Sequence, residues 1–446
     1  MSEVDPADVA AVAARPDRDL VVVLHPDGPL VLTGGEIPDG VVEVSADDPP
    51  ANWTELLVAT RQVVPDGAWP LGPTRRLPGL WLHAALARTA AVAPGYRWSD
   101  LPDPLWSSPV RRAVTAALDE DSGRVPTPLR VPWMRRGWWV EATAWVDAQL
   151  AKTDRRRTGD VEPKEHWGIS AVARVPTTGG ALWLKAVPPF FARELAVLTL
   201  LGERLPGMVP VVFARANEPG GGPRFLTEDA GDVPDDVDPA DPPRLAALIA
   251  DLQVRTLDLL PQLAAAGCVD RSPERLASEL ARMAEDGFEI DLLDADERAL
   301  LARLVPEITD HLRALSDGPL PTVLVHGDFH AWNVARSPGW SDGDAVIIDW
   351  TDAAIGPAGV DLTTLLPATA DESAHARVTR AYASVWAEHL ELPLAEVEGA
   401  LAATVVAAHV VQALAYDGIL RELEPDARSG LGGAMASRLR ALLRTM

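Results

Sequence analysis

The sequence predicts an α+β protein, sheet-forming in its first half and helical beyond about residue 240. Three observations carry that class. Short apolar runs separated by Pro- and Gly-rich turns recur up to about residue 232. Apolar residues at helical spacing dominate from Arg244 onward. Two carboxylates, Asp328 and Asp349, each follow a short apolar run set into the helical half.

In chain order, residues 20–24 and 29–32 flank a Pro-Asp-Gly turn and predict a hairpin, with 41–44 as a third strand. Helices are predicted near 80–92 and 110–118, separated by proline-rich segments at 101–104 and 125–128. Nine of the 15 Trp fall between Trp53 and Trp145, which predicts a core of its own for that segment. The first region, 1–130, carries no phosphate loop and no metal triad. The second region, 131–232, opens on a helix over 138–150. Strands at 168–175 and 181–186 follow, joined by the turn Thr177-Thr178-Gly179-Gly180. The third, 233–446, predicts helices over 244–260, 273–284, 295–315, 372–390 and 394–420.

Composition bounds the function. The net charge of −25 argues against a nucleic-acid partner, because phosphate backbones call for basic patches. An acidic surface is compatible with a cationic acceptor such as an amino sugar, but a plain solvated surface is the preferred reading. The single cysteine, Cys268, excludes an internal disulfide and suits a reducing cytoplasm. No segment resembles a membrane span or a secretory signal, so a cytoplasmic location is expected.

The chemistry is concentrated in His326-Gly327-Asp328-Phe329-His330-Ala331-Trp332-Asn333 and in Val346-Ile347-Ile348-Asp349-Trp350. Strand 323–325 feeds the first carboxylate and strand 344–348 the second, with a Pro-Gly-Ser-Asp-Gly-rich turn between. An Asp on a turn can accept the proton of an acceptor hydroxyl. An Asn five residues on can reach a metal, and a second Asp can hold Mg²⁺ against phosphates. Asp328 is thus the candidate base, and Asn333 and Asp349 the candidate metal ligands. Lys185 ends an apolar strand, where a lysine needs a partner. Glu194 lies on the helix that follows.

This ordered set, continued by Gly356-Pro357 and Asp361-Leu362, resembles the aminoglycoside phosphotransferase / choline kinase superfamily. The resemblance implies a bilobal protein-kinase-like fold, here with an additional N-terminal α+β cap. It implies an ATP- and Mg²⁺-dependent kinase acting on the hydroxyl of a small molecule. Lys185 would hold the nucleotide phosphates and Glu194 would orient it. Ser170, on the hairpin that covers the phosphates, would donate a hydroxyl. Glu228 and Ala230 would mark the linker whose backbone meets the adenine. Asp361 would brace the catalytic loop, and His326 the same. His330, Asp352 and Asp417 are the candidates for touching the acceptor.

The N-terminal extension is more like the cap-bearing maltokinase and glucosamine kinase branch, which favours a sugar or amino sugar. An aminoglycoside antibiotic is the alternative acceptor. A nucleotide-binding pseudokinase scaffold is the alternative of another class. A protein substrate is disfavoured, since Ile348-Asp349-Trp350 replaces a DFG-type turn and no APE-like segment follows. The sequence leaves the oligomeric state open.

Overall fold

The computed structural model describes residues 12–15, 19–24, 26, 31–33, 53–61, 63–77, 80–93, 97–99, 108–217, 221–233, 238, 241–336, 345–365 and 371–446. The chain divides into two compact units. One comprises Met1–Pro189, Ala214–Thr227 and Glu422–Gly430, and the other Phe190–Phe213, Glu228–Arg421 and Leu431–Met446. Region 1–130 and most of 131–232 therefore share one unit.

The first unit holds a six-stranded sheet. Its strands are β1 (Val12–Arg15), β2 (Asp19–Leu24), β3 (Val31–Thr33), β4 (Ala68–Leu77), β5 (Leu80–Ala87) and β6 (Arg97–Ser99). The order is β4-β5-β2-β3-β6, with β1 on β2. β2 and β5 run parallel, with Val21 opposite His83. The predicted hairpin is present, closing with Leu24 opposite Val31. The third strand expected at 41–44 and the segment at 101–104 lie outside the described residues. The helix expected at 80–92 is instead strand β5. Its run Leu80-Trp81-Leu82 to Ala87 is apolar on both faces, and such a run has neither helical nor alternating periodicity.

Helices α1 (Trp53–Thr60) and α2 (Ser108–Asp121) supply Trp53, Leu56, Val110, Val114 and Leu118 to a core with Val21, Val22 and Leu82 of the sheet. Helix α3 (Trp138–Leu150) follows as predicted, with Trp138, Trp139, Ala142, Val146 and Leu150 buried. Strands β7 (Glu162–His166), β8 (Ala171–Val175), β9 (Leu182–Ala186), β10 (Val212–Asn217) and β11 (Pro223–Glu228) form a second sheet in the order β10-β11-β9-β8-β7.

The Trp-rich segment packs on itself around that core and also reaches the second sheet. Trp69 stacks on Trp139 with centroids 5.9 Å apart, and Trp53 meets the edge of His166 at 5.4 Å. His166 hydrogen-bonds the Gly72 carbonyl through Nε2 at 3.1 Å, and burial pushes its imidazole down to about 3. Segment Glu422–Gly430 is held here by ions. Arg130 donates to Glu424 at 2.9 Å and to Glu120 at 2.6 Å, and Arg75 donates to Asp426 at 2.7 Å.

The second unit contains α4 (Arg193–Arg204), α5 (Asp241–Arg255), α6 (Leu260–Ala265), α7 (Pro273–Asp286), α8 (Ala295–Ala314), α9 (Leu362–Leu365), α10 (Glu372–Leu390), α11 (Leu394–Glu422) and α12 (Ala434–Thr445). A capping box starts α8, where Asp294 accepts the Glu297 N–H and Glu297 accepts the Asp294 N–H. Set among these helices are β12 (Val269–Asp270), β13 (Thr322–Val325), β14 (Val334–Ala335), β15 (Val346–Ile347) and β16 (Ala354–Pro357). β13 pairs antiparallel with β16 and β14 with β15. The turn expected at 338–343 lies outside the described residues.

By length and composition α11 could cross a bilayer, with mean hydropathy 1.6 over its most apolar stretch. In this unit it is a core helix, burying Leu401, Ala407, Val410, Leu414 and Leu420. Cys268 is buried as a small core residue, and burial pushes its thiol up to about 11.

Candidate active site

The catalytic loop starts where β13 ends. Val323, Leu324 and Val325 are buried, so the strand is fixed and delivers His326, Gly327 and Asp328 at its mouth. His326 is fully buried. Its Nδ1 lies 3.3 Å from the Asp328 N–H, and its Nε2 is 2.9 Å from the Ile348 carbonyl. The Asp328 amide can only donate, so Nδ1 accepts and Nε2 carries the proton. The ring thereby ties the Asp328 turn to the residue before Asp349, packed against Trp350 at 4.7 Å.

Beneath the loop lies Asp361, which accepts the His326 N–H at 3.1 Å, the Gly327 N–H at 2.9 Å and the Gln253 side-chain amide at 3.0 Å. Burial pushes its carboxyl above the usual range, and those backbone donors pull it back. The buried Gln253 accepts from the Tyr382 hydroxyl, which accepts the Gly359 N–H at 2.9 Å. The polar break at Gln253-Val254-Arg255 is where α5 ends, and Gln253 serves the loop from below.

Asn333 ends a single 3₁₀ turn, Ala331–Asn333. Its Nδ2 donates to the Asp328 carbonyl at 2.9 Å. Its own carbonyl accepts the Ile348 N–H at 2.9 Å, one step beyond the β14–β15 pair. Asn333 and Asp349 are thus held on adjacent backbone. Asp349 has φ 61°, in the left-handed region, and accepts the Thr351 hydroxyl at 2.8 Å. A non-glycine residue held there is strained, and such strain clusters at functional sites. With the Asn333 amide nitrogen committed to the loop, its Oδ1 and the Asp349 carboxylate are hard oxygen donors of the kind Mg²⁺ takes, few in number and completed by phosphate and water. The residues fit that ion.

Asp328 is exposed, its side chain 52% accessible, and stands 3.4 Å from His330 Nε2. Both residues line a cavity of about 800 Å³. Asp352 is half-buried. Burial first, and then the nearby Asp328 and Asp349, push its carboxyl up to about 6 against the pull of Arg193. Asp417, expected at the acceptor, is turned elsewhere. It is buried, accepts the Phe288 N–H at 2.7 Å, and pairs with Arg421 at 3.1 Å and Arg282 at 3.4 Å. Its neighbour Tyr416 is the residue that feels Asp328 and Asp352.

Glu194 is buried in the first turn of α4. Glu228 ends β11 and donates its N–H to Val211 at 2.9 Å, and Ala230 precedes Gly231 in the segment after it. Lys185 and Ser170 belong to the first unit. Lys185 stands opposite Val172 in β9, and the Ser170 hydroxyl accepts the Trp167 indole N–H at 2.7 Å.

Two cations had no sequence signal. Arg336 is buried, donates to the Ala331 and Val334 carbonyls at 2.6 and 2.8 Å, and pairs with Asp241 at 2.8 Å. Arg193 lies over the Phe191 ring at 5.2 Å and close to Asp352.

A carboxylate on a turn and two oxygen donors, locked together by hydrogen bonds, are the groups a phosphotransferase with an alcohol acceptor would need. The chain belongs to the phosphotransferase enzyme family APH, whose model matches residues 164–392, just over half of it. The α+β fold is accordingly the kinase-like one of that family, with the additional N-terminal sheet and helices. Among solved structures, one like this chain is a GDP and kanamycin complex of an aminoglycoside phosphotransferase, at 18% identity and TM-score 0.47, covering 69% of this chain and 98% of that one. A microcompartment-associated aminopropanol kinase is similar at 19% identity and TM-score 0.47, covering 67% and 96%. A macrolide 2'-phosphotransferase from Brachybacterium faecium stands at 19% identity and TM-score 0.43, covering 66% and 98%. No curated protein matches the sequence.

Proposed function

We propose that this enzyme transfers the γ-phosphoryl group of ATP to a hydroxyl of a small, sugar-like molecule, with Mg²⁺ as cofactor. The observation that supports the reading most directly is the locked trio. Asn333 Nδ2 holds the Asp328 carbonyl, and the Asn333 carbonyl holds the amide preceding Asp349, beside an 800 Å³ cavity into which Asp328 opens.

Asp328 orients the acceptor hydroxyl and takes its proton. The hydroxyl oxygen bonds the γ-phosphorus as the bond to the β-phosphate oxygen breaks. Lys185 is the residue proposed to meet the phosphates, with Glu194 as its proposed carboxylate and the Ser170 hydroxyl as a further donor. The backbone around Glu228 and Ala230 meets the base. Asn333 and Asp349 hold Mg²⁺, which when bound neutralises charge on the phosphates. Asp352 and His330 border the acceptor. The reading requires neither nucleic acid nor membrane, and a cytoplasmic setting suits it.

The test is an ADP-release assay of Asp328→Asn against a panel of hydroxyl acceptors, with nucleotide binding followed by thermal shift. Turnover should fall by about 10³-fold or more, with nucleotide binding retained. Full turnover in that variant would remove Asp328 as the base.

A further inference from the structure

The cavity beside Asp328 carries a charge pattern that sorts acceptors, and reading it rests on the kinase assignment above. An aminoglycoside presents several ammonium groups, which need carboxylates free to meet them. Among the described residues the wall offers, besides Asp328, only Glu398 of α11. Arg380 already holds Glu398 at 3.2 Å. The other acids of the C-terminal helices do not line the cavity.

Cations do line it. Helix α12 contributes Arg438, half-buried, and Arg444, exposed near the chain end. Among the described residues neither guanidinium forms an ion pair, although Arg444 also feels Glu297, which Arg440 already holds at 2.8 Å. Arg438 bears on the Tyr416 phenol, which also feels Asp328 and Asp352. Arg438 thus puts a fixed positive charge in the same cavity wall as Asp328. His409 joins them in the wall. Its imidazole is pushed below its ordinary range by burial and then by Arg438 and Arg444, and its buried Nδ1 has no hydrogen-bond partner. A neutral imidazole and two unpaired guanidinium groups are donors waiting for oxygen acceptors. Arginine in particular matches carboxylate and phosphate geometry.

We propose that the acceptor is a hydroxylated anion, a sugar acid or phosphosugar, whose carboxylate or phosphate is bound by Arg438 and Arg444 while a hydroxyl meets Asp328.

The experiment compares matched acceptors at fixed Mg·ATP: glucose, glucosamine, kanamycin, gluconate and glucose 6-phosphate. At least one anion should exceed glucose and the amines by about tenfold or more in kcat/KM. Which anion wins separates carboxylate from phosphate. Arg438→Gln should collapse that advantage mainly through KM, and Arg438→Lys should retain part of it. Arg444→Gln, at an exposed position, gives the same reading should the Arg438 variants unfold. The advantage should also shrink as salt rises. Preference for glucosamine or kanamycin would overturn the anion assignment and leave the kinase reading intact. Silence on every acceptor, with ATP still raising Tm, would overturn it too. Failure to bind Mg·ATP would instead sink the kinase reading itself.

Discussion

The backbone carbonyl of Asp352 stands where a side chain on Gly327 would begin, 2.6 Å from the position of a Cβ there. Gly327 also has φ 88°, so both space and conformation require glycine. The contact presses the Asp328 turn against the segment that carries Asp349 and Asp352. Gly327→Ala should therefore cost about 1–3 kcal/mol of stability. It should also lower kcat by an order of magnitude or more, because a 1 Å shift of a positioned base is enough to do so. Thermal unfolding and steady-state kinetics read the two effects separately, and a variant with normal Tm and normal kcat would contradict the account.

Gln253 links Tyr382 to Asp361. Gln253→Leu removes the amide from a buried carboxylate and the acceptor from a buried phenol. Leaving such groups unsatisfied costs about 1–3 kcal/mol each. The loop above should loosen, lowering kcat more than the affinity for nucleotide. Nucleotide titration beside kinetics checks the split, and an equal loss in both would argue against a bracing role.

Arg336 presents its guanidinium to two carbonyls of the catalytic loop and to Asp241. Breaking a buried pair from one side costs about 3–5 kcal/mol. Arg336→Ala should be strongly destabilised, and Arg336→Lys only partly restored, since an ammonium cannot fork across three acceptors. Chemical denaturation measures both. A lysine variant as stable as the parent would show that charge alone suffices.

His166 gives the first unit a pH dependence. Its imidazole titrates near pH 3 when folded and near 6.5 when unfolded. Between those values the unfolded chain binds a proton that the folded chain does not, so stability falls as pH drops through that window. The slope is up to about 1.4 kcal/mol per pH unit from this residue. Replacing it with a non-titrating residue, His166→Gln, should flatten the denaturation midpoint against pH. An unchanged slope would place the acid sensitivity elsewhere.

The candidate site was legible because its chemistry sits at strand ends a few residues apart. Asp328 to Asn333 and Ile348 to Trp350 are local patterns, and short pairs of backbone bonds join them. Helix α3 was legible to the residue, since the buried positions of 138–150 recur at helical spacing. Strand β5 was not, because a strand buried on both faces has no alternation to read. Strand β7, Glu-Pro-Lys-Glu-His, is too polar to announce itself. Asp417 was placed on the wrong face because α11 is apolar nearly all round, and adjacent residues on a helix point about 100° apart. Gln253 reaches Asp361 across 108 residues, and Arg336 reaches Asp241 across 95. No local pattern records partners at that distance.

The segment Glu422–Gly430 belongs to the first unit although it lies between two helices of the second. Its Glu424 and Asp426 are counter-ions for Arg130 and Arg75. In order of synthesis, Arg130 meets Glu424 only 294 residues later and Arg75 meets Asp426 only 351 residues later. This unit is therefore completed only after residue 424 has been made, and nascent chains stalled before it should leave the unit open to proteolysis.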